Sequence, residues 1–317
     1  MRVPTDGRTL MKQFAALFLS LLLLAGCGAP AKPPPPAPEA ASEPAASEAP
    51  PRAESVAPAP SGRAALPLEN AWIASLADGI AAPILARELP PAEEIRAAYL
   101  WLIENVYFAD PVGLDAWRYH GDPDAPPPYL ENRALSPLRF GVGSCEDFAA
   151  AMAVLLRRMG YKAQYVSGLT ISVEGEFVDH AWTVVQLDGK WYHLDPQLEQ
   201  NVVKSGRVSF RYFLRDDRTM LADHRWGESL AAYYGGAITP GQRETILTEL
   251  AVPACPEAYV PTPAPAEVSL PGRPDPYALR ETLDAEREAW LSEHGPPGPV
   301  ALNVTPPIYA VMPEPPK

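Results

Sequence analysis

The chain has 317 residues, 40 of them proline, and a formal net charge of −13 at pH 7. The prolines crowd into the first quarter and the last fifth, so the material able to build a core is confined to the middle two thirds, enough for one domain of enzyme size. With no basic excess and no Lys/Arg stripe among aromatics, nucleic-acid binding is excluded, and the acidity itself reads as a solvated surface.

From Met11 the sequence runs MKQFAALFLSLLLLAGCG, with Lys12 in a short leading region, an apolar stretch from Phe14 to Ala25, and small residues up to Cys27. That stretch is too short to span a bilayer and has the layout of a secretory signal. The run Leu24-Ala25-Gly26-Cys27 resembles the lipobox of bacterial lipoproteins. The resemblance implies a signal peptide over 1–26, cleavage ahead of Cys27, lipidation of its thiol, and an extracytoplasmic protein anchored to the membrane of a bacterial envelope. A plain secretory signal that includes a Cys is the alternative, and Met11 competes with Met1 as the start. Each buried methylene of such an anchor contributes about 0.8 kcal/mol. Residues 27–65 then form a Pro/Ala-rich spacer, which in extended polyproline geometry reaches on the order of 100 Å.

The domain expected over 66–255 opens with helical spacing. Between Pro90 and Phe108, Ile95, Tyr99, Leu102, Ile103 and Val106 recur on one face, with Pro90-Pro91 in front and Glu93-Glu94 in the first turn. Asp110 to Gly143, rich in Pro, Gly and Asp, reads as a long irregular loop facing substrate. A second helix starts at Gly143-Ser144-Cys145-Glu146-Asp147, where Ser144 and Asp147 make a capping box and Cys145 is the first helical residue. Phe148, Met152, Leu155, Leu156 and Met159 share its apolar face and Gly160 ends it. The unpaired amides and the dipole of a helix start favour thiolate and can stabilise an oxyanion. A Cys in an apolar helix is otherwise a small core residue.

Phe177 to Leu187 and Lys190 to Pro196 read as two strands joined by Asp188-Gly189, a strong hairpin signal. Pairing Leu187 with Lys190 and stepping outward sets Trp182 opposite Asp195 and His180 opposite Gln197. His180 and Asp195 are then diagonal neighbours on one face, about 7 to 8 Å apart at the backbone. His193 shares that face, and its place along the hairpin disfavours it as the partner. In this arrangement Asp195 orients the imidazole and His180 takes the thiol proton.

The motifs G-x-G-S-C-E-D-F-A, D-H-A-W and W-Y-H-L-D-P, in that order, resemble the three core motifs of the transglutaminase-like superfamily. The likeness covers roughly Pro90 to Pro196 and continues weakly through Tyr212-Phe213-Leu214 and Asp223-His224-Arg225-Trp226. It implies an α+β, papain/transglutaminase-like core, with a Cys-bearing helix packed on an antiparallel sheet carrying His and Asp. It also implies Cys145 as nucleophile, His180 as base, Asp195 as orienter, and an aromatic oxyanion donor upstream, for which Tyr107 is the candidate and Trp117 the competitor. The C-E-D variant is seen also in periplasmic cysteine proteinases of this superfamily, some of which use calcium, but a clear acidic calcium loop is missing here, so no cofactor is expected.

Of the three cysteines, Cys27 goes to the lipid, leaving a Cys145–Cys255 disulfide as a competing arrangement. Prolines on both sides of Cys255 suggest an exposed connector and disfavour that pairing. Residues 256–317 read as a Pro-rich tail with one surface helix, Tyr277 to His294. Three functions compete. The first is a cysteine enzyme acting on amide bonds of peptides, proteins or peptidoglycan through a thioester, as peptidase, amidase or acyltransferase. The second is a catalytically silent binding module of the envelope. The third, a metal site at Cys145, His180, His193 and Asp195, fits no zinc spacing and ranks last.

Overall fold

A computed structural model describes residues 62–109, 111, 127–202, 207–260, 268–269 and 276–295. The signal segment, Cys27, most of the spacer and Trp117 lie outside the described residues. Helix α1 (Ala71–Leu85) is capped by Asn70, whose side chain accepts from the Ile73 amide at 3.0 Å. Helix α2 (Pro91–Asn105) starts on a proline, whose missing N–H costs nothing at a first helical position. Its buried residues include Ile95, Tyr99, Leu102 and Ile103, as the spacing predicts.

The expected loop before the Cys helix contains regular elements among its described residues. After the short strand β1 (Tyr107–Phe108), residues Tyr129–Leu135 form α3, Ser136–Phe140 a π-helical turn, and Val142–Gly143 the strand β2, which pairs in parallel with β1. Composition hid this helix because its seven residues are too few to show a period, and Pro137 sits inside the continuing turn rather than stopping it. Arg133 of α3 then pins the next helix, pairing with Glu146 at 2.7 Å and Asp147 at 2.9 Å.

That next helix, α4 (Cys145–Arg158), begins at the expected residue. The Asp147 carboxylate accepts from the Ser144 amide at 2.7 Å and from its hydroxyl at 2.9 Å. Gly160, at φ +83, turns the chain away in the left-handed region. The helix is not one-sided, however. Phe148 through Leu156 are all at most 1% exposed, so α4 is covered all round by helices on one side and the sheet on the other. Ala149, Ala150, Ala151 and Ala153 permit that close approach.

Beyond α4 come β3 (Ala163–Ile171), β4 (Phe177–Leu187), β5 (Lys190–Leu194), α5 (Pro196–Val202), β6 (Arg207–Val208), β7 (Phe213–Arg215), α6 (Asp217–Met220) and β8 (His224–Arg225). Then follow α7 (Gly227–Tyr234), α8 (Pro240–Thr248), β9 (Val268–Ser269) and α9 (Pro276–His294). The main sheet has the order β7-β5-β4-β3-β8, with every neighbour antiparallel. Asp188 (φ +51) and Gly189 (φ +79) both take the positive φ of a two-residue hairpin turn. The register runs from Leu187↔Lys190 to Thr183↔Leu194, as predicted.

It stops there. Pro196 has no N–H to extend the ladder but suits a helix start, so Asp195 leaves the strand and caps α5 by accepting from the Leu198 amide at 2.9 Å. His180 pairs instead with Gly168 of β3. A second correction concerns Cys255, which is fully buried and not part of an exposed connector. The chain there is tied back, with the Cys255 carbonyl accepting from the Asp217 amide at 2.8 Å and the Tyr259 amide donating to the Leu214 carbonyl at 3.0 Å. Beyond the boundary expected at 255, β9 pairs with β6.

The fold is thus α+β, with a Cys-bearing helix packed on an antiparallel sheet that carries His180 and ends at Asp195. Gly168 is what lets β8 approach. A Cβ there would lie 2.2 Å from the Arg225 carbonyl oxygen and 2.8 Å from the Trp182 ring. Gly168→Ala is expected to destabilise by roughly 1–3 kcal/mol. Gly79→Ala, in open space on α1, is expected to stabilise by up to about 1 kcal/mol. Chemical denaturation of the two variants checks both signs.

Candidate active site

The elements above bring three of the sequence-predicted residues together. Cys145 is half-buried at the start of α4, and His180 is buried on β4. His180 Nε2 lies 2.6 Å from Asp195 Oδ2, and the Cys145 thiol is near enough to the ring to act on its charge. Since Nε2 is taken by Asp195, Nδ1 is the nitrogen left for sulfur. Burial opposes charge on His180, but the Asp195 carboxylate and its hydrogen bond, together with Cys145, overcome it and hold the pKa up to about 10. Burial likewise opposes ionisation of Asp195, yet His180 and then His224 hold its carboxyl well below the usual range. The pair is ionic.

Asp195 is fixed on all sides. Its carbonyl accepts from the Tyr99 hydroxyl on α2 at 3.1 Å, and its amide donates to the Tyr212 carbonyl at 3.0 Å. Buried Glu199 secures the same region, accepting from the Tyr99 hydroxyl at 3.1 Å and from the Tyr212 and Ser209 amides at 2.9 Å each.

His193 stands apart from this group. Its Nδ1 accepts from the Trp182 indole at 2.9 Å, and its Nε2 donates to Asp217 at 2.9 Å, while burial holds its pKa below the ordinary value. Cys255 lies beside that second cluster as a free thiol, and Cys145 is free as well, so the competing disulfide is absent. Burial, with Asp217 and Asp216 adding to it, pushes the Cys255 thiol far up, the opposite of a reactive sulfur.

Neither cluster suits a metal ion. The 2.6 Å separation of His180 Nε2 and Asp195 Oδ2 is a hydrogen bond, closer than two ligands sit around one ion. In the other, the Trp182 indole occupies the Nδ1 lone pair of His193, so Nε2 carries the proton and offers no lone pair.

The group opens on a cleft of about 540 Å³. Its wall includes Phe108, Ile171, Val173 and Val178, which are four of the six exposed large hydrophobic residues among those described. Tyr107 sits on β1 beside Val142, and it is the neighbouring Phe108 that lines the cleft. Sequence reasoning missed His224, fully buried, whose Nε2 lies 3.1 Å from Asp195 Oδ2. The only signal was its place in the weakly matching Asp223-His224-Arg225-Trp226.

Residues 78–196 match the family model described as the transglutaminase-like superfamily. This segment, which contains Cys145, His180 and Asp195, is similar to transglutaminase-like domains. No curated protein matches the chain. Among solved structures, a candidate cysteine protease from Cytophaga hutchinsonii is 18% identical, covering 39% of this chain and 36% of its own, with a TM-score of 0.28. A protein described as a TGase is 17% identical over 39% and 31%, with a TM-score of 0.29. An arylamine N-acetyltransferase from Bacillus cereus, described as having a Cys-His-Glu triad, is 13% identical over 39% and 48%, with a TM-score of 0.24. The chain spans less than half the length of each.

The ionic pair has a signature in stability. Because the His180 pKa is raised above 6.5, its contribution is full below pH 6.5 and fades as pH climbs towards about 10. Because the Asp195 pKa is depressed, its contribution is full above pH 3.8 and fades as pH falls. The gap in Tm between wild type and His180→Gln is therefore expected to be widest between those limits and to shrink towards pH 10. Thermal unfolding across pH tests this, and a gap that ignores pH contradicts it.

Proposed function

We propose that this protein is an extracytoplasmic cysteine enzyme that cleaves or transfers amide-linked acyl groups, with Cys145 as nucleophile, His180 as base and Asp195 as orienter. The observation that carries the reading is a thiol and an imidazole lining one cleft, with the imidazole hydrogen-bonded to a buried carboxylate. The Cys145 sulfur attacks the amide carbon while His180 holds the thiol proton, forming a tetrahedral intermediate. Amides at the start of α4 face the developing oxyanion, and Tyr107 is proposed as an added donor. Collapse breaks the C–N bond, His180 passes its proton to the departing amine, and a thioester remains. Water resolves it in a hydrolase, an amine in a transferase.

The apolar residues around the cleft favour peptide or protein substrates with an apolar side chain near the reacting amide over the small and polar stems of peptidoglycan. Anchoring through Cys27 keeps this chemistry at the membrane surface.

Cys145→Ser is expected to abolish turnover of an apolar-residue peptide library, and His180→Asn to slow it by about 10²–10⁴-fold. In the wild type, Cys145 should alkylate rapidly near neutral pH, and His180→Asn should slow that reaction. Slow labelling indifferent to His180 would mark a silent binding module instead.

Cys27→Ser is expected to abolish incorporation of labelled fatty acid and to release the protein from the membrane fraction. Continued labelling of that variant would end the anchor proposal.

A further inference from the structure

Asp195 Oδ2 carries two imidazoles. It receives His180 Nε2 at 2.6 Å and His224 Nε2 at 3.1 Å, while Oδ1 receives the Leu198 amide. We propose that His224 is a positioning residue of the site, a second ring that locks the orienting carboxylate in the rotamer His180 needs. The inference rests on the cysteine-enzyme reading above.

Three features support it. First, the carboxylate cannot rotate about its Cβ–Cγ bond without breaking two bonds at one oxygen and a third at the other. Second, His224 is itself held rigidly. It is fully buried, pairs with Thr170 at the edge of β3, and meets the Trp182 ring edge-on at 4.9 Å. Third, its remaining nitrogen is spoken for, because Nδ1 lies 2.7 Å from Asp223 Oδ1. Both partners are carboxylate oxygens, so His224 donates at both ends.

The row then continues outward. Asp223 Oδ2 accepts from the Tyr212 hydroxyl at 2.7 Å and from Arg211 at 3.1 Å. Arg211 is more than half exposed and lines the same cleft as Cys145. A chain of hydrogen bonds therefore starts at His180 on the cleft wall, passes through Asp195, His224 and Asp223, and returns to the cleft wall at the Arg211 guanidinium. A histidine that merely filled space would need neither carboxylate.

Amide side chains separate the two bonds. Glutamine at position 224 places an N–H where Nε2 stood and keeps the link to Asp195, whereas asparagine reproduces Nδ1 and keeps only the link to Asp223. Iodoacetamide alkylation of the full-length chain at pH 7, with Cys145 read by mass spectrometry, compares them. His224→Gln is expected to stay within about threefold of wild type, and His224→Asn to slow by about tenfold or more, as for one lost hydrogen bond to a charged group. Buried Cys255 reports folding and should stay unlabelled. Equal rates in two folded variants overturn the proposal, as does a faster His224→Asn.

Should both variants unfold, the wild type carries the test. Long-range ¹H–¹⁵N correlation spectra are expected to find the proton of His224 that faces Asp195 on Nε2, and a bare Nε2 overturns the proposal. A wild-type Cys145 that labels slowly regardless of His180 would end the cysteine-enzyme reading instead, and the spectra would still decide on His224.

Discussion

A carboxylate sealed from water has to be satisfied by its surroundings or it will not stay charged. Asp195 is such a group, fully buried, and the structure around it is organised to meet that demand. A helix start supplies an amide, a strand and a second edge supply imidazoles, and a tyrosine from the first helical layer fixes its backbone. Removing any one donor leaves a buried charge short of partners, which costs more than the lost bond alone. The same pressure that stabilises the fold therefore sets the position of His180 beside Cys145.

Seen from Asp195, the helical layer and the sheet have one task between them. The all-round burial of α4 keeps the turn that bears Cys145 from shifting, and Arg133 holds that turn from the side through Glu146 and Asp147. The parallel β1–β2 pair ties Phe108, on the cleft wall, to Gly143, two residues before Cys145. The cleft wall at Phe108 and the segment leading into Cys145 are thus joined through backbone pairing.

Much of this was legible in the amino-acid order because it is local. The cap at Ser144, the stop at Gly160, and the Asp188-Gly189 turn each follow from backbone rules acting over a few residues, and the turn alone fixes the register of ten. What was not legible depends on distant partners. The seven-residue α3 has no period to detect, and its stability comes from packing on α4. Asp195 was expected on a strand, and only the competing helix start at Pro196 moves it off. His224 lies 29 residues from Asp195 and reaches it through the β3–β8 pairing, which depends on a glycine whose role appears only once Trp182 and Arg225 are in place. Cys255 looked exposed because prolines flank it, but its own backbone is held by Asp217.

The burial of Cys255 bears on how the protein ages in oxidising surroundings. With its only described counterpart walled in behind Trp182, the half-buried sulfur of Cys145 has no resolving thiol within the domain. Oxidants meeting it would stop at a sulfenic acid, open to rescue by small external thiols or to irreversible over-oxidation, in place of an internal cystine that stores the damage reversibly.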